Sequence, residues 1–283
     1  MEQVKIIPVG KSNSLFQMTK NFITPYEKLC VQLAEKLYQK DADVQIVVRE
    51  IGDDVLICGL FYYSKGGTVL PFFLEKASDV EHAMKDFFSE NLAFCVSGEK
   101  SSVDFVKFCI DSAKKQSLKE QRDFYFMEAK KPRIEKVEKD CLSFRQCTKD
   151  DSDFLFPLQI SYIKEEVVPE GMDINLSAER FAMDRLLKAG KIHAAIDQIG
   201  RIVCKSQING ETDSYQLIGG VFTAEPFRKN GIATYLMECL KVEAAKKNKS
   251  CILFVNKKNE AAIRLYEKSG FTRCGDYKII YLM

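Results

Sequence analysis

Apolar positions in the first half of the chain follow both helical and strand-like spacing. Turn signals at Gly52-Asp53-Asp54 and Gly66-Gly67 separate the strand-like runs, and the first of them predicts a hairpin. The predicted strands lie at residues 44–48, 55–62, 68–73, 92–96 and 124–127. Helical spacing covers residues 25–38, 80–88 and 101–115. The first half is therefore predicted to be an α+β domain.

The second half repeats this alternation in a more regular order. Its predicted strands lie at residues 142–147, 192–197, 201–208, 215–223, 251–255, 271–274 and 277–282. Its predicted helices lie at residues 150–166, 176–189, 231–246 and 260–269. The order β-α-α-β-β-β-α-β-α-β-β predicts a mixed sheet that is antiparallel at first and has a parallel crossover later.

A charged stretch, residues 130–140, separates the two halves and contains Pro132, which favours a connector. At 283 residues the chain suits two domains. We therefore predict domains at residues 1–132 and 133–283.

Charge and composition narrow the possible partners and compartments. Lys plus Arg number 42 and Asp plus Glu number 40, so the net charge of +2 predicts neither a nucleic-acid nor a membrane partner. No apolar run reaches the ~18 residues that span a bilayer, and the N-terminus lacks the apolar core of a signal peptide. The protein is therefore predicted to be cytoplasmic.

The ten cysteines form no C-x-x-C pair, and most lie within apolar runs, which is typical of reduced core cysteines. The two histidines, His82 and His193, lie in different halves. We therefore expect no metal site.

Residues 219–234 combine the end of a strand, a polar loop and the start of a long helix. The loop carries Arg228, and Gly231 opens the helix. Backbone N–H groups at such a turn have no partner within the helix, and with the helix dipole they can bind a phosphate. Glycine allows a diphosphate to approach the backbone closely. The alternative is an ordinary basic loop.

Residues 259–271 form a second segment with helical spacing and a terminating glycine, Gly270. The simplest interpretation of Tyr266, taken alone, is a half-buried core aromatic residue whose hydroxyl finds a partner.

Together the two segments resemble the GNAT acyltransferase superfamily. Arg228-x-x-Gly231-x-Ala233 is similar to its Q/R-x-x-G-x-G/A signature, and Asn259 to Phe271 is similar to its N-x-x-A-x-x-L-Y-x-k-x-G-F motif. The 28 residues from Gly231 to Asn259 fit the family's layout, and the resemblance covers residues 139–283. It implies a mixed, mostly antiparallel sheet flanked by helices.

The resemblance also implies how acetyl-CoA is bound as the acyl donor. The loop and first helical turn would hold the pyrophosphate, through Arg228, Lys229, Asn230, Gly231, Ile232, Ala233 and Thr234. The strand end, Val221, Phe222 and Thr223, would pair with the pantetheine arm and direct an amide at the thioester carbonyl. Asn259 would contact pantetheine, and Tyr266 would protonate the departing thiolate.

The acceptor side is less defined. In GNAT folds the first two helices border the acceptor cleft, so Tyr162, Glu165 and Glu166 are predicted to bind an amine, although adjacent acids at a helix end are also typical of a solvated surface. Residues 214–218 offer no acidic base. The first half resembles the degenerate GNAT-like domain of tandem acyltransferases, and we predict that it is not catalytic.

We therefore predict an N-acyltransferase of the EC 2.3.1 class. It would transfer acetyl from acetyl-CoA to a primary amine, a small molecule or a peptide, by direct attack in a ternary complex. One alternative is a non-catalytic acyl-CoA sensor, and another is an acyltransferase that modifies a macromolecule. The sequence leaves the oligomeric state open, a homodimer included.

Overall fold

The computed structural model describes residues 3–113, 115–129, 139, 141–168 and 173–283. Contacts divide the chain into two compact units, residues 1–126 with 274–283 and residues 127–273. The predicted domain limit at 132 lies outside the described residues. Residues 274–283, which belong by sequence to the predicted second domain, cluster with the first unit.

The first unit is an α+β domain, in agreement with the sequence analysis. Its strands are β1 (Gln3–Pro8), β2 (Val44–Ile51), β3 (Asp54–Tyr63), β4 (Thr68–Phe73), β5 (Cys95–Glu99), most of β6 (Leu118–Ala129) and the end of β12 (Phe271–Leu282). Its helices are α1 (Asn13–Ile23), α2 (Val31–Tyr38), α3 (Ser78–Glu90) and α4 (Lys100–Ala113). Strand β1 and helix α1 were not predicted, and the first part of the predicted helix at 25–38 is a 3-10 segment, Thr24–Cys30.

The sheet of the first unit has the order β1-β2-β3-β4-β5-β12, with β6 on the other side of β12. The final strand pairs with β5 from Tyr277 to Tyr281, which explains why the end of the chain belongs to this unit. Leu60 and Phe61 are neighbours on β3 and lie in different buried clusters, because successive strand residues point to opposite faces. One cluster includes residues of α3 and α4, and the other includes residues of α2.

The second unit contains both sequence motifs. Its strands are β7 (Leu142–Gln146), β8 (Ile192–Asp197), β9 (Ile202–Glu211), β10 (Tyr215–Thr223) and β11 (Ser250–Asn256), and it includes the first residues of β12. Its helices are α5 (Ser152–Tyr162), α6 (Leu176–Lys188), α7 (Ile232–Lys246) and α8 (Glu260–Lys268). The predicted helix at 150–166 is α5 followed by a π-helical turn, Ile163–Val167, and the two predicted final strands are the single strand β12.

The sheet of the second unit has the order β11-β10-β9-β8-β7. Strands β7 to β10 are antiparallel, and β10 and β11 are parallel with α7 between them in the chain. This confirms the predicted mixed sheet. Leu155 of α5 and Met183 of α6 are buried against Ile192 and Ala194 of β8, which fixes these two helices on the sheet.

Within the described part of the chain, no helix has both the length and the apolar character needed to cross a bilayer.

Candidate acyl-donor site

The loop between β10 and α7 has an unusual backbone. Lys229 and Gly231 both have positive φ, 65° and 70°, on either side of Asn230. Left-handed residues in a turn are typical of the concave N–H arrangements that bind anions, and here the turn opens directly into the N-terminus of α7. The predicted phosphate cradle therefore runs from this turn into the start of α7. The Ile232 side chain is buried in the core, and Ala233 and Thr234 lie in the first helical turn.

A lysine that the sequence analysis did not identify lies at this loop. The Lys139 Nζ donates to the Asn230 carbonyl at 2.6 Å. A Cβ added to Gly231 would lie 3.0 Å from the same Nζ. Lys139 thus places a second cation beside the predicted phosphate cradle, and only this three-dimensional contact reveals it.

Arg228 connects the loop to the end of β10 and to the turn after α5. Its Nε donates to the Thr223 carbonyl at 3.0 Å, and its guanidinium lies 5.0 Å from the centre of the Phe222 ring. Its Nη2 is 3.1 Å from both carboxylate oxygens of Glu165. The guanidinium is therefore already oriented toward an anion, and that anion is a carboxylate of the protein itself.

Strand β10 pairs with β9 over most of its length but with β11 only at its start. Its parallel pairing with β11 joins Tyr215 through Leu217 to Ser250 through Ile252. The pairing with β9 shifts register between Gly219 and Phe222, and Gly220 has a φ of 58°. A Cβ at Gly219 would lie 2.0 Å from the Asn209 Nδ2, the movable end of a side chain, whereas the left-handed backbone of Gly220 is the one that favours glycine. The described pairing with β11 ends at Leu217, so Val221, Phe222 and Thr223 have a strand edge on that side with which a ligand can pair.

The second motif forms the whole of α8, from its Asn259 cap to the strand that follows, and the helix was predicted. The Asn259 Oδ1 accepts from the Ala262 N–H at 3.0 Å and caps the helix, while its Nδ2 donates to the Glu166 carboxylate at 2.9 Å. Tyr266 is 8% exposed, and its ring packs edge-on against Phe271. Tyr266 is thus more buried than the half-buried core residue of the simplest interpretation.

Burial raises the pKa of the Tyr266 hydroxyl above its usual range, and Tyr162, Glu166 and Cys204 add to this shift. The hydroxyl is therefore protonated at neutral pH and can donate a hydrogen bond.

The three predicted acceptor residues lie at the end of α5 and in the π-helical turn that follows. Glu165 contacts Arg228, Glu166 contacts Asn259, and the Tyr162 ring packs edge-on against Phe222 with 6.3 Å between ring centres. The structure thus brings the predicted acceptor and donor residues together. The two acids, however, are bound to residues of the donor site.

A further charged residue of the site, Lys205 on β9, was not predicted from the sequence. It is 1% exposed, and its Nζ donates to the Gly220 carbonyl at 3.0 Å. The same Nζ lies 4.6 Å from the centre of the Tyr162 ring. Burial lowers the pKa of Lys205 to about 7, a shift that the nearby Cys204 and Cys147 partly oppose.

Among the described residues there is no cluster of three or more His, Cys, Asp or Glu side chains that could bind a metal ion.

The comparison with known families agrees with the motifs. Residues 188–273 match the model of the GNAT acetyltransferase domain. The chain contains a GNAT domain. The match runs from the end of α6 to the start of β12 and includes both motif segments, whereas Tyr162, Glu165 and Glu166 precede it. No curated protein matches the sequence.

Solved structures share the fold over a longer stretch. A Drosophila protein has a TM-score of 0.67 at 12% identity, covering 100% of this chain and 99% of that one. A tandem GNAT protein from the clavulanic acid biosynthesis pathway has a TM-score of 0.60 at 10% identity, covering 99% and 98%. The likeness therefore includes the first unit, which has a GNAT-like fold.

A putative GNAT-family acetyltransferase from Novosphingobium aromaticivorans is matched over 59% of this chain, with a TM-score of 0.46 and 16% identity. The chain spans 66% of the length of that protein.

Proposed function

We propose that the protein is an N-acetyltransferase that uses acetyl-CoA and a primary amine as its two substrates. One observation carries this proposal. Glu165 and Glu166 are adjacent in the π-helical turn, and they contact Arg228 and Asn259 respectively. The two motif segments therefore lie side by side, as a single extended ligand such as acetyl-CoA requires.

The electrostatics of the loop fit the diphosphate of acetyl-CoA. Arg228 and Lys139 supply two cations, and the left-handed backbone at Lys229 and Gly231 opens into a helix N-terminus. Arginine pairs well with phosphate oxygens, because its planar guanidinium offers two parallel donors. In this proposal the pyrophosphate takes the place of the Glu165 carboxylate on Arg228.

The reaction needs no covalent enzyme intermediate. The amine nitrogen attacks the thioester carbon, the C–N bond forms, and the C–S bond breaks as the electrons move to sulfur. A backbone N–H of β10 at Val221 stabilises the oxyanion, and Tyr266 donates a hydrogen bond to the departing thiolate. The proton that the amine nitrogen loses passes through water to the thiolate, so that free thiol and amide are the products. The acceptor approaches from the side of Tyr162, Glu165 and Glu166.

We also propose that the protein acts in the cytoplasm, because its cysteines are free and most are buried, which suits a reducing compartment. The near-neutral net charge of +2 favours a small-molecule or peptide acceptor over a nucleic acid.

The test is release of free CoA thiol from acetyl-CoA, measured with a panel of primary amines. We expect turnover with at least one amine, and a drop of about a hundredfold in kcat for Tyr266→Phe with acetyl-CoA binding retained. Binding of acetyl-CoA without thiol release, across small amines, peptides and tRNA, would instead support a sensor. A Tyr266→Phe protein with full turnover would refute the role of the hydroxyl.

A further inference from the structure

Lys205 is a lysine buried on β9. Among the described residues, no Asp or Glu forms an ion pair with its Nζ. A buried charge usually has such a partner, because removing an ammonium group from water is costly. By contrast Lys241, also buried in the second unit, has Glu238 at 2.8 Å and donates to the Ser269 carbonyl. An unpaired buried lysine beside a ligand site is often functional.

The groups around Lys205 come from two strands, the chain after β7, and one helix. Cys204 is its neighbour on β9, Cys147 follows β7, Gly220 is on β10, and Tyr162 ends α5. Burial raises the pKa of the Cys204 thiol to about 11 and of the Cys147 thiol to about 12, so both stay neutral at physiological pH. Neither thiol therefore compensates a charge on Lys205.

The acceptor of the Lys205 hydrogen bond is part of the β10 bulge. The pairing of β10 with β9 runs through Gly219 and resumes at Phe222, so it skips Gly220 and Val221. The Gly220 carbonyl and the Val221 N–H belong to one planar trans peptide, in which the C=O and the N–H point in opposite directions. With the oxygen on Lys205, the Val221 N–H points away from the lysine.

A cation that donates to a peptide oxygen also strengthens the N–H of the same peptide as a donor, because linked hydrogen bonds polarise one another. Hydrogen bonds from a charged donor are roughly twice as strong as neutral ones. The amide of Val221 is the one that the proposed reaction needs for its oxyanion. A charge on Lys205 would therefore act on the transition state without contacting the substrate.

We propose that Lys205 is a positioning residue for the oxyanion, which fixes the β10 bulge through the Gly220 carbonyl and, in its charged form, polarises the Val221 N–H. This rests on the proposed acetyl transfer. It gives the unpaired lysine a function and predicts that the protonated form is the more active one. Activity should then decline as pH rises through about 7, where burial sets the pKa of Lys205.

The experiment compares thiol release from acetyl-CoA at pH 5.5 to 9.5 for the full-length protein and for Lys205→Met, Lys205→Gln and Lys205→Arg. We expect kcat to fall about tenfold in Lys205→Met at pH 6, with the KM for acetyl-CoA little changed. Glutamine can still donate to the Gly220 carbonyl but carries no charge, so Lys205→Gln should be intermediate. The matched control is Lys241→Met, which removes a paired buried lysine.

The decisive readout is the ratio of wild-type to variant rates at each pH, because ionisation of the acceptor amine cancels in it. The wild-type rate divided by the Lys205→Gln rate should be highest at about pH 6 and approach one at alkaline pH. The wild-type rate divided by the Lys205→Arg rate should decrease over the same pH range, because arginine keeps its charge. Binding of acetyl-CoA identifies the variants that are folded. If Lys205→Met fails to fold, Lys205→Gln still tests the proposal, because it keeps a hydrogen-bond donor at this position.

A ratio that does not vary with pH, or a Lys205→Gln protein as active as wild type at pH 6, would overturn the proposal while leaving acetyl transfer intact. A wild-type protein that binds acetyl-CoA but releases no thiol would overturn the proposed function, and the role of Lys205 with it.

Discussion

The burial of Lys205 has a consequence for stability that can be measured without any substrate. Its pKa is lowered to about 7 in the folded protein from the ordinary value of 10.5. Between these values the unfolded chain binds the proton and the folded chain does not, so stability must rise with pH across this window. Below pH 7 both states are protonated, and the full destabilisation is present.

The magnitude follows from the size of the shift. A difference of 3.5 units between 10.5 and about 7 corresponds to roughly 5 kcal/mol of destabilisation below pH 7. Lys205 is 1% exposed, so solvent screening reduces this little. Between pH 6 and pH 9 the contribution of this one group should become more favourable by about 2–3 kcal/mol.

Lys205→Met removes the titration and keeps an unbranched side chain of similar length. It also leaves the Gly220 carbonyl without its donor, which costs about 1–3 kcal/mol at every pH. The difference in free energy of unfolding, wild type minus Lys205→Met, should therefore increase by about 2–3 kcal/mol from pH 6 to pH 9. The loss of the donor adds a constant to this difference and does not change its increase with pH.

Denaturant unfolding, followed by circular dichroism at several pH values, measures this difference. The two units can unfold in separate transitions, so the comparison uses the transition that shifts in the variant. Lys241→Met is again the control, because it removes a buried lysine that has a carboxylate partner. A difference for Lys205→Met that is flat, or that shrinks toward pH 9, would refute our account of this lysine.

Two further predictions concern the donor site. Glu165→Gln removes the internal carboxylate from the phosphate loop, so acetyl-CoA should bind about two- to fivefold more tightly at low salt by calorimetry. The control is Glu243→Gln, at an acid of α7 that pairs with Lys246. Unchanged or weaker binding to Glu165→Gln would contradict the competition between this carboxylate and the phosphate. Gly231→Ala places a Cβ on a left-handed residue 3.0 Å from the Lys139 Nζ and should abolish measurable acetyl-CoA binding. The control Gly200→Ala, also at positive φ but with nothing within 4 Å of its Cβ, should lose only stability, and equal binding in both variants would count against the loop.

Most of the second unit could be predicted from the sequence, because the signals that start and end its helices and strands act on neighbouring residues. The strand before Thr223, the glycine that opens α7 and the asparagine that caps α8 each act on their immediate neighbours. The elements of the first unit were harder to predict. Helix α1 begins at a Ser12 cap that was not recognised, and the placement of the last strand against β5 depends on a pairing across about 180 residues.

The residues that the sequence analysis missed have roles that depend on contacts distant in the chain. Lys205 lies in a strand where a polar residue is usually exposed, and it is buried among groups that include Tyr162, more than 40 residues earlier. Lys139 reaches Asn230 across 91 positions. The partners of the two acids, Glu165 and Glu166, were also unpredictable, because helical spacing says nothing about what lies opposite the end of a helix.

Tyr266 and Lys205, the buried phenol and the buried lysine of the site, act on different atoms in the proposed reaction. A thiol such as that of cysteine has an ordinary pKa near 8.5, so even an ordinary phenol near 10 is the weaker acid, and burial raises the pKa of Tyr266 further. Complete proton transfer to a free thiolate is therefore uphill, and Tyr266 serves the departing sulfur chiefly by donating a hydrogen bond as charge develops. The rate then depends more on forming the tetrahedral intermediate, whose oxyanion must be stabilised as its charge develops. In this account the oxyanion depends on the Val221 amide and, behind it, on the charge of Lys205.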